Sequence, residues 1–293
     1  MKTLANTNKR MLSLLAALAL MTFAMSCGED DGMDLDDGAI PTEVADEVDL
    51  ESEAGIESLM EDIESVSEAG MTAINAGGRI LEDDLIECAI VTHDEENKTV
   101  TIDYGDGCEG PHGRIRKGKI VIVYTDRRLV PGVMKTITPE GFFIDSVQVE
   151  GTRIVTNIME TEEDAPKFSI ELIGGKLTFP DTTVATRVAN HTREWFRGAN
   201  PRLDESYREG EATGTDRDGN TYRVQILERI VYKRTCGLLP VSGVKEITIN
   251  GGEHVITYDY GDGRCDNLVT VTKDGVSEEF EIDPRRFKKR RRG

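Results

Sequence analysis

The 293-residue chain predicts a mainly β protein: a large curved antiparallel meander sheet, half-barrel or barrel-like, with one N-terminal amphipathic helix packed on it. Three observations carry that expectation. Apolar and polar residues alternate over many short runs, which is the period of a strand with one buried face. Turn signals separate the runs at short intervals, and no helical pattern lies between them, which excludes βαβ crossovers. Only one segment, near residues 53–75, repeats at helical spacing. A sheet of about a dozen strands has to curl, close or split into two layers, so a two-sheet β-sandwich is the alternative.

The first element is an export signal over residues 1–26. Lys2, Lys9 and Arg10 precede an apolar stretch, Met11 to Met25. That stretch is shorter than the roughly 20 residues a membrane span needs and fits a secretory signal peptide. Ala24-Met25-Ser26-Cys27 resembles the lipobox of bacterial lipoproteins. The resemblance implies cleavage before Cys27, a covalent lipid on its thiol, and partnership with a membrane through acyl chains. Each buried methylene contributes roughly 0.8 kcal/mol, so one chain holds reversibly and two or three hold firmly. An ordinary signal peptide, cut near Ala24 or Ser26, is the alternative. Gly28-Glu29-Asp30-Asp31-Gly32 resembles the export signal of Bacteroidetes-type surface lipoproteins, which implies the outer face of the outer membrane. The periplasmic face is the alternative. Residues 27–51, acidic and nearly without aromatics, read as a disordered tether. Within it Asp34-Leu35-Asp36-Asp37-Gly38 lacks the alternating acids and closing Glu of an EF-hand.

The folded domain is expected over residues 52–283. Ile56, Leu59, Met60, Ile63, Val66, Met71 and Ile74 define the helix, with acidic residues opposite and a stop at Gly77-Gly78. Strand alternation is plain at Val100, Ile102 and Tyr104, and again at Tyr222, Val224, Ile226, Ile230 and Tyr232. It is weaker at Val276, Glu278, Phe280 and Ile282. Asp218-Gly219, Gly251-Gly252 and Asp274-Gly275 suit two-residue hairpins, and Gly174-Gly175 reads as a further breaker. Ile120 to Tyr124 is apolar throughout, so that strand is expected to be covered on both faces. Residues 284–293 form a basic tail that reads as disordered and solvated.

Beyond Cys27 four cysteines remain, and outside the cytosol they imply up to two disulfides with three possible pairings. A hairpin centred on Glu95-Glu96 puts Cys88 opposite Asp103, near Cys108. One centred on Gly251-Gly252 puts Cys236 opposite Asn267, near Cys265. Local pairs Cys88–Cys108 and Cys236–Cys265 follow. No close Cys-x-x-Cys pair argues for zinc.

Asp103-Tyr104-Gly105-Asp106-Gly107-Cys108 is echoed by Asp259-Tyr260-Gly261-Asp262-Gly263-Arg264-Cys265. The plain interpretation is a repeated stapled turn, in which Asp bonds backbone amides and Gly takes positive φ. The sharper one is a pair of sites, for calcium as a cation or for a sugar, built from Asp103, Asp106, Asp259 and Asp262. These motifs, with Gly113-Arg114-Ile115-Arg116-Lys117-Gly118-Lys119-Ile120 and Val149-Glu150-Gly151-Thr152-Arg153, resemble a family of Bacteroidetes lipoproteins over roughly residues 80–282. The resemblance implies an envelope address and brings no activity and no functional residues.

With 35 Lys+Arg against 55 Asp+Glu, the net charge of −20 argues against nucleic acid as a partner. No Walker loop, dinucleotide fingerprint, His-Glu-x-x-His or Gly-x-Ser-x-Gly occurs, and His93, His112, His191 and His254 fall in no catalytic pattern. Phe142, Phe143, Trp195 and Phe196 fit core packing better than a sugar or lipid site. Asp145-Ser146-Val147 and Asp181-Thr182-Thr183 resemble a short O-glycosylation motif. The expectation is a non-enzymatic binding or scaffolding domain without a cofactor other than the lipid, its protein or glycan partner unspecified. A carrier of lipid or another apolar ligand is one alternative. A glycan-processing hydrolase with two facing carboxylates is the other.

Overall fold

The computed structural model describes residues 50–75, 85–110, 113–236 and 240–281. The signal segment, Cys27, most of the acidic tether, Gly77-Gly78, His112 and the basic tail lie outside the described residues. Among the described residues, helix α1 (Leu50–Asn75) is followed by fourteen strands. They are β1 (Ile90–Asp94), β2 (Thr99–Asp103), β3 (Cys108–Glu109), β4 (Ile115–Tyr124), β5 (Met134–Ile144), β6 (Val147–Asn157) and β7 (Lys167–Thr178). Then come β8 (Val184–Phe196), β9 (Glu205–Thr215), β10 (Thr221–Lys233), β11 (Pro240–Ile249), β12 (His254–Asp262), β13 (Leu268–Lys273) and β14 (Val276–Glu281).

All the strands belong to one antiparallel sheet whose spatial order follows the chain from β1 to β14, with β3 off the path and paired to β4. This is the expected meander, and one continuous sheet excludes the two-sheet sandwich. The sheet is not closed: β1 and β14 are its edges. Long strands with one buried face set this arrangement. In β4 the buried Ile120 and Ile122 alternate with Val121 and the exposed Val123, so that strand is covered on one face and not on both, as its unbroken apolar run predicts. The side chains of Ile56, Met60, Ile63 and Val66 are buried in a core shared with Ile102, Ile120, Ile137 and Phe142 on one flank and with Val224, Ile247 and Ile256 on the other.

The curl has a local cause. Gly174-Gly175, expected to break a strand, lies inside β7, and the register slips there between Leu172 and Gly175. Matching slips occur at Gly118 in β4, in β5 between Ile137 and Phe142, and at Gly151 in β6. The four slips align across adjacent strands as one crease, with the extra residue carried by β5 and by β7. At Gly118 an added Cβ would stand 2.0 Å from the Gly141 carbonyl oxygen, and at Gly151 it would stand 2.8 Å from Gly175 Cα. Bulges bend and twist the strand that carries them, so the crease turns the sheet around the helix.

The turns differ from expectation in length. Asp274-Gly275 is a two-residue turn with both residues at positive φ, the type that matches strand twist. Asp218-Gly219 belongs to a longer turn in which Asp216 accepts from the amides of Asp218 and Asn220. Gly251-Gly252 is the centre of a four-residue loop between Ile249 and His254. Both cysteine pairs form as expected, with Cα–Cα distances of 6.1 Å for Cys88–Cys108 and 5.1 Å for Cys236–Cys265. The register behind the inference is shifted, since Ile90 faces Asp103, and Cys236 sits in a short turn before β11.

Candidate functional site

The repeated motif makes two matching corners. Asp103 Oδ1 accepts from the Gly105 amide at 2.8 Å, and Asp259 Oδ1 accepts from the Gly261 amide at 2.9 Å. The intervening tyrosines turn inward. Tyr104 is buried, donates to the Leu85 carbonyl at 2.7 Å and packs on Phe142. Burial pushes the Tyr260 hydroxyl up to about 12. Each corner ends in its disulfide. Besides its turn amide, Asp103 pairs with Lys119 at 2.8 Å, and Asp262 accepts from Arg264 Nε at 2.9 Å. Hydrogen bonds from Lys119 and Gly105 hold the Asp103 carboxyl below its ordinary range. Asp106 is exposed in the first turn. Asp103 and Asp106 belong to the β2 corner and Asp259 and Asp262 to the β12 corner, with eight strands between β2 and β12 in the sheet order. Among the described residues no group of three or more His, Cys, Asp or Glu is arranged to hold a metal ion.

The densest chemistry lies between α1 and the concave face. Acids flanking the helix's apolar stripe meet arginines from the sheet. Arg116 of β4 grips Asp62 with two bonds, Nε to Oδ2 at 3.0 Å and Nη2 to Oδ1 at 2.7 Å. Glu64 pairs with Arg153 of β6 and with Arg193 of β8 at 3.4 Å. Arg208 of β9 reaches Glu57 at 3.2 Å and Glu61 at 2.5 Å, and Arg187 of β8 stands 3.8 Å from Glu57. Glu68 pairs with Lys135 of β5 and with Arg128 at 2.8 Å. Strand alternation places these cations. Arg153 shares its face with Val155, and Arg187 shares its face with Ala189, His191 and Arg193, all turned toward the helix.

Burial and charge oppose each other here. Burial alone would raise Glu57, but Arg187, Lys245 and Arg208 reverse it and hold the carboxyl at about 2. Glu64 stands at about 2 for the same reason, with Arg193 and Arg153 outweighing burial. Arg208 and Arg116 are held firmly protonated by their carboxylates despite burial. His191 goes the other way: burial first, then Arg208, Arg193 and Arg153, push it well below the ordinary imidazole range. Its Nε2 is enclosed and makes no hydrogen bond.

This lattice is invisible to the sequence patterns above, which treat the acids as the solvent side of the helix. The available signal was arginine at inward strand positions, as in Arg153 and Arg187, where a half-buried strand ordinarily carries apolar side chains. The remaining candidates sit apart. His93 bonds Tyr124 at 2.7 Å and His254 bonds Asp274 at 2.9 Å, both at turn-flanking positions. Phe142 is fully buried, Trp195 packs edge-on against Phe168, and Phe196 packs against Tyr207. Asp145-Ser146 forms the β5–β6 turn and Asp181-Thr182-Thr183 lies in the β7–β8 turn, both at the surface. The seam between Met60, Ile63, Ile137, Arg153 and Leu172 holds a void of about 10 Å³, room for about one water. Among the described residues no helix is long and apolar enough to cross a membrane.

Searches against protein-family models, curated proteins and solved structures find nothing that matches this chain.

Proposed function

We propose that this chain is a lipid-anchored cell-envelope protein, related to the Bacteroidetes-type surface lipoproteins its motifs resemble, with a β-domain that binds or scaffolds instead of catalysing. The observation that carries the reading is the occupation of the concave face by the protein's own helix. The acids beneath it are engaged by arginines and lysines of the sheet, and two of them, Glu57 and Glu64, stand at about 2, far from the pKa that general acid or base catalysis at neutral pH requires. The seam at Met60 and Leu172 has no room for an acyl chain while α1 is seated, so an apolar cargo in this seam would need the helix displaced. Two local disulfides support an oxidising compartment. Cys27 and the acidic run behind it support the anchor.

The test is metabolic labelling with a palmitate analogue in cells producing wild type or Cys27→Ala, combined with protease treatment of intact cells. The expected result is label on the wild type alone and digestion of the wild-type domain from outside. Equal labelling of both proteins, or of neither, would overturn the anchor. Protection of the wild type in intact cells would move it to the periplasmic face.

A further inference from the structure

The imidazole of His191 sits where the helix meets the sheet. It lies on β8 between Ile170 of β7 and Gly210 of β9. Its room comes from Gly210, where an added Cβ would approach His191 Cβ to 2.6 Å. The charged groups facing it are Arg193 on its own strand, Arg208 on β9, Arg153 on β6, and Glu64 and Glu57 on α1. Both nearby carboxylates already serve guanidiniums: Glu64 serves Arg153 and Arg193, and Glu57 serves Arg208 and Arg187. A proton on Nε2 would add a fourth cation to three guanidiniums, in a place with no acceptor for the new N–H. Burying an unpaired charge is strongly unfavourable, whereas an imidazolium in water forms freely near its ordinary pKa.

We propose that α1 is a proton-sensitive latch on the concave face: protonation of His191 favours a state in which the helix lifts from the arginine-lined sheet and the imidazolium reaches water. Glu57 and Glu64, the two carboxylates beside His191, stay charged through this step, since both titrate near 2. Mild acid therefore acts on this cluster through the histidine and not through Glu57 or Glu64. The lifted state turns Arg153, Arg193 and Arg208 to solvent, and an acidic chain then presents a concentrated cationic face.

Amide hydrogen exchange on the intact domain, disulfides in place, tests this at pH 7.5 and 5.0 after correction for intrinsic exchange rates. Protection over residues 56–74 should fall about tenfold or more at pH 5.0, with weak dependence on added urea. The strands β4 to β8 should remain more protected and respond steeply to urea, the mark of global opening. His191→Gln, neutral at both values, should show equal helix protection at both. In wild type labelled at histidine, the His191 resonance should titrate below the other histidines, a readout that does not depend on the variant folding. Helix protection that ignores pH would overturn the proposal. So would a pH response kept in His191→Gln, a helix that exchanges only together with the strands, or an ordinary titration of His191.

Discussion

Glu64 shows how much a single side chain can hold in this fold. It answers two arginines from strands on either side of β7, and Arg153 is only 6% exposed. Removing one partner of a buried pair leaves the other charge desolvated and unpaired, at a cost of about 3–5 kcal/mol. Glu64→Ala is therefore expected to lower the urea midpoint strongly. Glu64→Ala combined with Arg153→Leu should lose clearly less than the two single losses together, because the stranded charge leaves with its partner. Additive losses would show that the pair is not coupled. At this scale the sequence was legible for cysteines and turn aspartates, whose chemistry is local. It was not legible for Glu57, Asp62 and Glu64. A helical period sets these beside the apolar stripe, where acids are ordinarily read as a solvated flank, and only a curved sheet brings arginines up to meet them.

At the scale of elements the crease and the staples decide. Gly151 and Gly251 both have positive φ, but a Cβ meets nothing within 4 Å at Gly251 and meets the backbone of β7 at Gly151. Gly251→Ala should cost only the backbone penalty of about 1–2 kcal/mol. Gly151→Ala should cost more, since the strands must separate, and thermal melting of the two variants gives the comparison. Each disulfide closes a loop, with sequence separations of 20 and 29. In the chain-entropy model each is worth about 3 kcal/mol, so Cys236→Ser with Cys265→Ser should lower stability by roughly that amount in urea titrations. A smaller effect would mean that the corner is held by its backbone bonds alone. The helix, the strands and the hairpin order were readable because period 3.6 and period 2 are local signals. The double glycine of β7 was misread because a glycine pair looks alike in a turn and in a bulge; what separates the two is the matching glycine on the neighbouring strand.

The whole molecule responds to pH through the lattice. Glu57 and Glu64 are near 4.5 when unfolded and about 2 when folded, so the unfolded chain binds more protons between those values. The stability they provide is full above about 4.5 and is lost as pH falls toward 2. For Glu64, 11% exposed in its side chain, this is on the order of 3 kcal/mol. Urea midpoints should decline across that window, and Glu64→Gln should flatten the decline. His191, held neutral in the fold, acts with the same sign at higher pH. The global architecture followed from pattern alone, because a chain of short-linked strands has few ways to pair. Closure did not, because it depends on the twist summed over fourteen strands.

Because each strand bonds to its neighbour along the chain, apart from the β2–β4 step across a short detour, assembly never has to wait for a distant segment. A polypeptide delivered amino end first would offer its helix as a template. It could then lay down one ribbon after another in the order they emerge, each new strand zipping onto the growing edge.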